Sequence, residues 1–425
     1  MKKHKIENLN ELILHIPLLL WVMIAYSISY LYLFVSPIFF SSQVMQFPKY
    51  VPAIDPIGID LVQMLSYSKT WFIANHSPYI GANLYPPFAS VIFTPLLYMK
   101  FSLAYKIMTI SSFVFYSIMT IVLPIQICRK KEMSALLIFI FITGLFSYGF
   151  QFEIERGQFN LIAMFLCFLS IWIFHYKSKY RYLAYSLFII SVQLKVYPLI
   201  FIIIFISDWK DWKRNITRLF ALLLMNFAML FILGSSVFVD FIGAIKAQIS
   251  NPYIWVGNHS IRSFVSLISK VAMDHGLVDI YEFSRFIQLA ILVFVTCCIL
   301  IIANKAYQGN KKGIDSNLLF ACTIGTLLIP SVSHDYKLSI LSSSVSILLL
   351  DLFTYAEKLK SDNKRLLLIL MIFVLTCLYS FTLYSFTVKP LLLSNNCPIL
   401  LMMLLVNICL AFINKSSLDR TAFEK

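Results

Sequence analysis

Charge is scarce in this chain. Only 13% of its 425 residues are Asp, Glu, Lys or Arg, while 60% are hydrophobic. A soluble domain carries about a quarter charged residues and could not hide so much apolar surface. Near-continuous apolar runs recur along the sequence, at the length of about 18 residues or more that crosses a hydrocarbon core as a helix. The chain therefore reads as an all-α polytopic membrane protein. Its first apolar run is too long, and followed by too much polar loop, for a cleaved signal peptide. Acids are the scarcer sign, with 20 Asp and Glu against 35 Lys and Arg and a net charge of +15. The cations sit in short clusters between apolar runs, among them KKHK at the start, RKK at 129–131, KSKYR at 177–181 and KDWKR at 210–214. The positive-inside rule accounts for that pattern, so nothing is assigned to nucleic acid.

Motifs for nucleotide or metal chemistry are missing as well. No P-loop, dinucleotide fingerprint, G-x-S-x-G elbow or H-E-x-x-H occurs, which argues against a nucleotide-driven enzyme. The eight cysteines lie mostly inside or beside apolar runs without metal-ligand spacing, and they read as small apolar residues. With no repeat, low-complexity tract or soluble domain, residues 1–425 form a single integral membrane domain.

About twelve spans are predicted, near 13–39, 103–127, 133–151, 159–175, 182–194, 197–207, 216–238, 286–304, 317–332, 338–355, 366–387 and 391–413. A further short helix over 86–99 opens on Pro86 and Pro87, where the N–H that proline lacks has no helical partner to lose. With every basic cluster inside, that segment cannot cross fully. Either it dips and returns, or one basic loop breaks the rule. The runs 182–194 and 197–207 are short for a span and predict a tight hairpin around Lys195. Two outer loops are long, 41–85 and 239–285, and each holds an N-x-S sequon, Asn75-His76-Ser77 and Asn258-His259-Ser260.

Chemistry-bearing residues gather at a few joints. In GIDLVQMLSYSKTWF, residues 58–72, Leu61, Met64, Leu65, Ser68 and Phe72 form one apolar stripe of a helix. Asp60, Gln63, Tyr67 and Thr70 fall on another side, so this helix suits the membrane surface. Asp60 fits either a charge complementing the helix dipole or a working carboxylate. FEIERGQFN, residues 152–160, is an unusually polar joint between two apolar runs. It reads either as a solvated turn with an internal Glu–Arg pair or as a place where Gln158 and Asn160 need partners. Lys195 in VQLKVYPL reads as a functional cation at depth or as a lysine snorkelling to the interface. GNHSIRS and PSVSHDYK place His259 with Arg262 and His334 with Lys337 at helix ends, where each pair could meet a phosphate.

Taken in order, these marks are Asp60, then Tyr85-Pro86-Pro87-Phe88, Gly157-Gln158-x-Asn160, Lys195-x-Tyr197-Pro198, Asn258-x-Ser260 and Ser333-His334. The chain resembles glycosyltransferase family 87, a mannosyltransferase-like branch of the GT-C superfamily, over about residues 10 to 350. The resemblance implies a GT-C-like bundle of about twelve transmembrane helices, with the helix bearing Asp60 on the membrane surface. It implies an enzyme of the plasma membrane whose active site faces outward and which takes a hexose, with mannose favoured, from a polyprenyl phosphate. Asp60 matches the family's acidic first-loop residue, its presumed base. Lys195, His334 and Arg156 match polar positions lining the site. Lys337 and Arg262 complete the expected phosphate-binding set, and Tyr85, Gln158, Asn160, Tyr197, Asn258 and His259 are expected to line the substrate. Departures are Leu61 after Asp60 in place of an aromatic, Gln63 and Met64 where tyrosine is common, and the absence of the tryptophan often found near His334.

A lipid-linked sugar phosphate is already activated, so the protein need supply only a base for the acceptor hydroxyl and cations for the leaving phosphate. A single base and direct displacement imply inversion. No cofactor or metal is expected, one loop carboxylate being a poor magnesium cage. The expected partners are the lipid-linked donor, a lipid-linked or envelope-glycan acceptor, and membrane lipid. Two other classes stay open. A polysaccharide polymerase or ligase would lean on arginines in its outer loops. A flippase or transporter would show paired halves and carboxylates within its spans, which are absent here.

Overall fold

The computed structural model describes Leu20 and residues 57–422, apart from 80, 82, 129–134, 146, 207, 252–253, 277–281, 309–312 and 357–394. The predicted spans 13–39 and 366–387, and residues 41–56 of the first loop, lie outside the described residues, Leu20 excepted. The fold is all-helical, 81% helix, and among the described residues no strand occurs. Among the described residues, two helices are long and apolar enough to cross a membrane. One is the continuous Phe101–Ile127 and the other is Ser284–Gln308. At 1.5 Å per residue each exceeds the roughly 30 Å hydrocarbon core.

The first helix, α1 (Ile59–Phe72), follows Gly58, whose φ of 80° suits a residue without Cβ. Leu61, Met64 and Ser68 are buried as the apolar stripe predicts, and Phe72 is exposed. Asp60, expected on another side, is buried with them at 7% exposure, because 60, 64 and 68 share one i, i+4 row. The Pro86-Pro87 pair does start a short helix, α2 (Pro87–Phe93), continued by a 3-10 turn at Thr94–Tyr98. The hydroxyl of Ser68 on α1 donates to the carbonyl of Ser90 on α2 at 2.9 Å, fastening the two helices together.

The long span Phe101–Ile127 comprises α3 (Phe101–Ser117), a π-helical turn at Ile118–Val122 and α4 (Leu123–Ile127). The predicted single span 133–151 is instead broken into α5 (Ala135–Leu145) and α6 (Tyr148–Arg156), bent by 49°. Ser147 makes the break, since its extended backbone ends one helix and its hydroxyl accepts from Phe150 N–H at the start of the next. Gly149 then lets α6 lie against residues 338–339, where a Cβ would stand 2.8 Å from the Leu338 side chain.

Helix α7 (Asn160–Tyr176) packs against α8 (Arg181–Leu194), the first arm of the hairpin predicted around Lys195, and Lys195 follows in extended conformation. Residues Tyr197–Phe205 continue as a nine-residue 3-10 helix. The predicted span 216–238 ends early. Helix α9 (Trp212–Met229) turns at Gly234 into α10 (Ser235–Ser250), and α11 (Ile261–Asp274) follows, so residues 239–285, expected as a long loop, are largely helical where described. Beyond α12 (Ser284–Gln308) come α13 (Ser316–Leu328), a 3-10 turn at Asp335–Ile340, α14 (Leu341–Ala356) and α15 (Cys397–Ala422).

The main core joins Phe168, Phe188, Phe201, Phe205, Phe320 and Leu348. A second cluster joins α1, α2 and α7 through Leu61, Met64, Phe93 and Phe159, and a third holds Tyr148, Phe152 and Tyr336 with Trp255 against them. The polar site lies where these last two clusters meet the ends of α6, α7 and α8.

Candidate active site

Two glycines bring the site together. Helix α6 ends at Gly157, at φ 65° and ψ 36°, with Gln158 N–H bonded back to the Glu153 carbonyl at 3.1 Å. This left-handed helix end favours glycine. A Cβ on Gly157 would sit 3.1 Å from both Gly58 Cα and Leu61 Cβ. Gly58 N–H in turn donates to the Glu155 carbonyl at 2.8 Å. The start of α1 therefore docks onto the end of α6, and Asp60 meets the residues around Gly157.

Asp60 Oδ2 accepts from Arg156 Nε at 3.3 Å and from the Gln158 amide nitrogen. Its other oxygen, Oδ1, accepts from no side chain or backbone group among the described residues, and the side chain keeps 10% of its surface open. The Gln158 amide is a bridge, since its oxygen accepts from Lys195 Nζ at 2.8 Å. Lys195 also donates to the Tyr85 hydroxyl at 3.3 Å, and its ammonium lies 4.4 Å from the Tyr85 ring centre and 4.1 Å from that of Phe159. Those two faces partly replace the hydration that a buried ammonium loses. The Pro86-Pro87 start of α2 thus has a chemical consequence, because it places Tyr85 on this lysine.

Glu153 anchors the floor. Fully buried, it accepts from the first-turn N–H groups of α7, Asn160 at 2.8 Å and Leu161 at 3.2 Å, and from the Asn160 side chain at 2.6 Å. A carboxylate from one helix thereby caps the positive end of the next. The Asn160 oxygen takes the Tyr197 hydroxyl at 3.0 Å, and Lys337 Nζ stands 5.0 Å from the Tyr197 ring centre. The internal Glu–Arg pair of the sequence reading does not form here, for Arg156 pairs with Asp60.

The far wall is a clasp between two loops. Asn258 and His334 form an isolated antiparallel bridge. His259 Nδ1 meets Asp335 Oδ1 at 2.9 Å, and Ser333 Oγ lies 3.1 Å from His259 Nε2. The carboxylate holds the proton on Nδ1, so Nε2 accepts from the serine. This resembles a serine-hydrolase relay in order only. Ser333, His259 and Asp335 are all buried, at 0–1% exposure, and no substrate reaches the hydroxyl. Burial keeps His259 below its ordinary imidazole range. From the last helix, Asn396 donates to Asp335 at 3.0 Å and Asn395 to the Val256 carbonyl at 2.8 Å.

His334 packs against Trp255 and Tyr336, with ring centres 5.4 and 5.5 Å away. Burial, then the charge of Lys337, pushes its imidazole down to about 3, so it is neutral at physiological pH. Burial, then Lys195, brings the Lys337 ammonium down to about 7. Lys337 also donates to the Val332 carbonyl at 2.5 Å.

Of the residues singled out from sequence, Asp60, Arg156, Gln158, Lys195, Tyr85, Asn160, Tyr197 and Lys337 form one connected cluster, and His334 and His259 adjoin it. Arg262 is not among them. It donates to the Ile249 carbonyl at the end of α10, and its charged neighbour is Arg285. Gln158, Asn160, Asn258 and His259 are at most 2% exposed and bonded to protein groups, so they hold the wall rather than face a substrate. Sequence reasoning overlooked Asp335, Asn395, Asn396 and Trp255. Trp255 comes from another loop to pack beside His334. An acid and two adjacent amides within apolar surroundings were the available signal for the first three.

An all-helical chain with membrane-length apolar helices, carrying an open carboxylate oxygen beside buried cations, defines a membrane protein with a site suited to group transfer. A family model described as glycosyltransferase family 87 matches residues 83–330, and the chain belongs to that family. No curated protein matches it.

Proposed function

We propose that this glycosyltransferase moves a hexose, with mannose favoured, from a polyprenyl-phosphate donor to a lipid-linked or envelope-glycan acceptor. The reaction takes place at the outer face of the plasma membrane, in a single membrane domain of about twelve spans whose α1 lies at the surface. The observation that carries this reading is Asp60, with one oxygen held by Arg156 and Gln158 and the other uncommitted among the described residues.

In the proposed step Asp60 Oδ1 takes the proton of the acceptor hydroxyl as that oxygen attacks the anomeric carbon. The bond from that carbon to the phosphate oxygen breaks, and polyprenyl phosphate leaves with the electron pair. Attack opposite the leaving group inverts the anomeric carbon. Lys195, Lys337 and Arg156 stabilise the charge on the departing phosphate, and neutral His334 acts through hydrogen bonding. The arrangement of donors before the reaction spares reorganisation during it.

The test is reconstitution in liposomes with radiolabelled polyprenyl-phosphate mannose and crude lipid acceptors. Addition of a single sugar with inversion is expected. Growth of long chains would indicate a polymerase, and movement of the donor between leaflets without transfer would indicate a flippase.

A further inference from the structure

Of the aromatic cluster beside Asp60, only His334 has a part in the step just described. Trp255, His334, Tyr336, Phe152 and Tyr148 form a continuous series of rings, with neighbouring centres 5.4 to 5.7 Å apart. The cluster is separate from the main core. Its inner members are buried, whereas Trp255 and His334 are only partly covered. At its other edge the Arg156 guanidinium stands 5.9 Å from the Phe152 ring centre while holding Asp60.

The chain goes to some length to fix Trp255. Gly257 lies against the indole, where a Cβ would come within 2.6 Å of the ring. The Trp255 carbonyl accepts from Asn258 N–H at 2.9 Å and from the Ser263 hydroxyl at 3.3 Å. The His259–Asp335 clasp and Asn395 pin the same loop on either side. A partly open indole, rigidly held and edged by an imidazole, suits neither a lipid tail, which wants wholly apolar walls, nor a bare phosphate, which wants charge. It suits a ring with one apolar face and a polar rim.

We propose that Trp255, flanked by His334 and Tyr336, is a stacking shelf for the C–H face of a pyranose, with His334 beside it for the ring's hydroxyls. Such sites pair an apolar or aromatic wall with a few convergent polar groups. The inference rests on the transferase reading of Asp60. The pyranose belongs either to the donor or to the acceptor glycan, and the experiment separates the two.

In the reconstituted enzyme, Trp255→Leu is expected to raise KM for one substrate about tenfold, with kcat much less affected. Trp255→Phe, which keeps a ring, should recover most of the loss. A rise confined to the donor assigns the shelf to the donor sugar, and one confined to the acceptor assigns it to the glycan. Equal KM values in wild type and Trp255→Leu would overturn the proposal while leaving the transferase reading intact, as would a loss of kcat alone that phenylalanine does not restore. A second readout does not depend on transfer. With the other five of the six tryptophans changed to phenylalanine and folding verified, indole fluorescence is titrated with polyprenyl-phosphate mannose, sugar-free polyprenyl phosphate and a mannose oligosaccharide. Response to a sugar-bearing probe beyond that to sugar-free lipid supports the shelf. Response to none of the three, or to both lipids alike with no further response to the oligosaccharide, contradicts it.

Discussion

Gln158 shows how one side chain can join two charged groups. Its amide nitrogen faces Asp60 and its oxygen faces Lys195, so a single planar group sets both the carboxylate and the ammonium. Gln158→Leu keeps the volume and removes the bridge. Transfer should fall by about a hundredfold, the scale of a 1 Å misplacement, and the melting temperature should fall as well, because the buried Lys195 ammonium loses an acceptor. Lys337 supplies a pH test. With its ammonium brought down to about 7, it loses its charge as the pH rises through that value, so donor KM should climb on the alkaline side. Lys337→Arg, whose charge persists to far higher pH, should flatten the climb. His334 acts on stability in the opposite range. Its ordinary value is 6.5 and its folded value about 3, so between them the unfolded chain binds the extra proton and stability falls as the pH drops. His334→Asn should reduce that slope in acid-unfolding curves.

At the scale of elements, the geometry depends on how helices end. Gly157 closes α6 in a left-handed turn pressed against Gly58. Gly157→Ala is expected to cost about 1–3 kcal/mol, read by denaturation in detergent, and to lower activity further by displacing Asp60 from Gln158. Glu153→Ala should be worse than Glu153→Gln, because it leaves the first-turn N–H groups of α7 buried without an acceptor. Much at this scale was legible in the sequence. Two prolines before an apolar run announced α2, and a lysine between two short apolar runs announced the junction at Lys195. The break at Ser147 was not legible, because the apolar run continues through it and only the packing of Gly149 on residues 338–339 requires the bend. The facing of Asp60 was ambiguous for a similar reason. Its position borders both faces of α1, and the choice is made by Arg156 and Gln158, almost a hundred residues away (96 and 98).

At the scale of the whole molecule, the site draws on both ends of the chain. The family match spans residues 83–330, yet Asp60 precedes it, and His334, Lys337, Asn395 and Asn396 follow it. Asn395 and Asn396 stand at the start of α15 and reach the loops of Trp255 and Asp335. Asn396 holds Asp335, which opens the same turn that carries Lys337, so the account predicts that Asn396→Ala weakens donor binding by loosening that turn, measured as donor KM. Combined with Lys337→Met, it should add little beyond the single Lys337 change, since residues acting through one another are not additive. A general folding defect would add in full. Long-range polar contacts of this kind leave little trace in hydropathy, so the helices were easier to read from sequence than the clasp.

The central claim is that Asp60 is the base. The most direct measurement compares wild type with Asp60→Asn in liposomes, matched for folding, with radiolabelled polyprenyl-phosphate mannose and lipid acceptors. Asparagine keeps the shape and can still accept from Arg156, but it cannot take the acceptor's proton. The account predicts that wild type transfers sugar and that Asp60→Asn loses nearly all transfer while still binding donor. Equal transfer by the two proteins would contradict it and move the base to another residue.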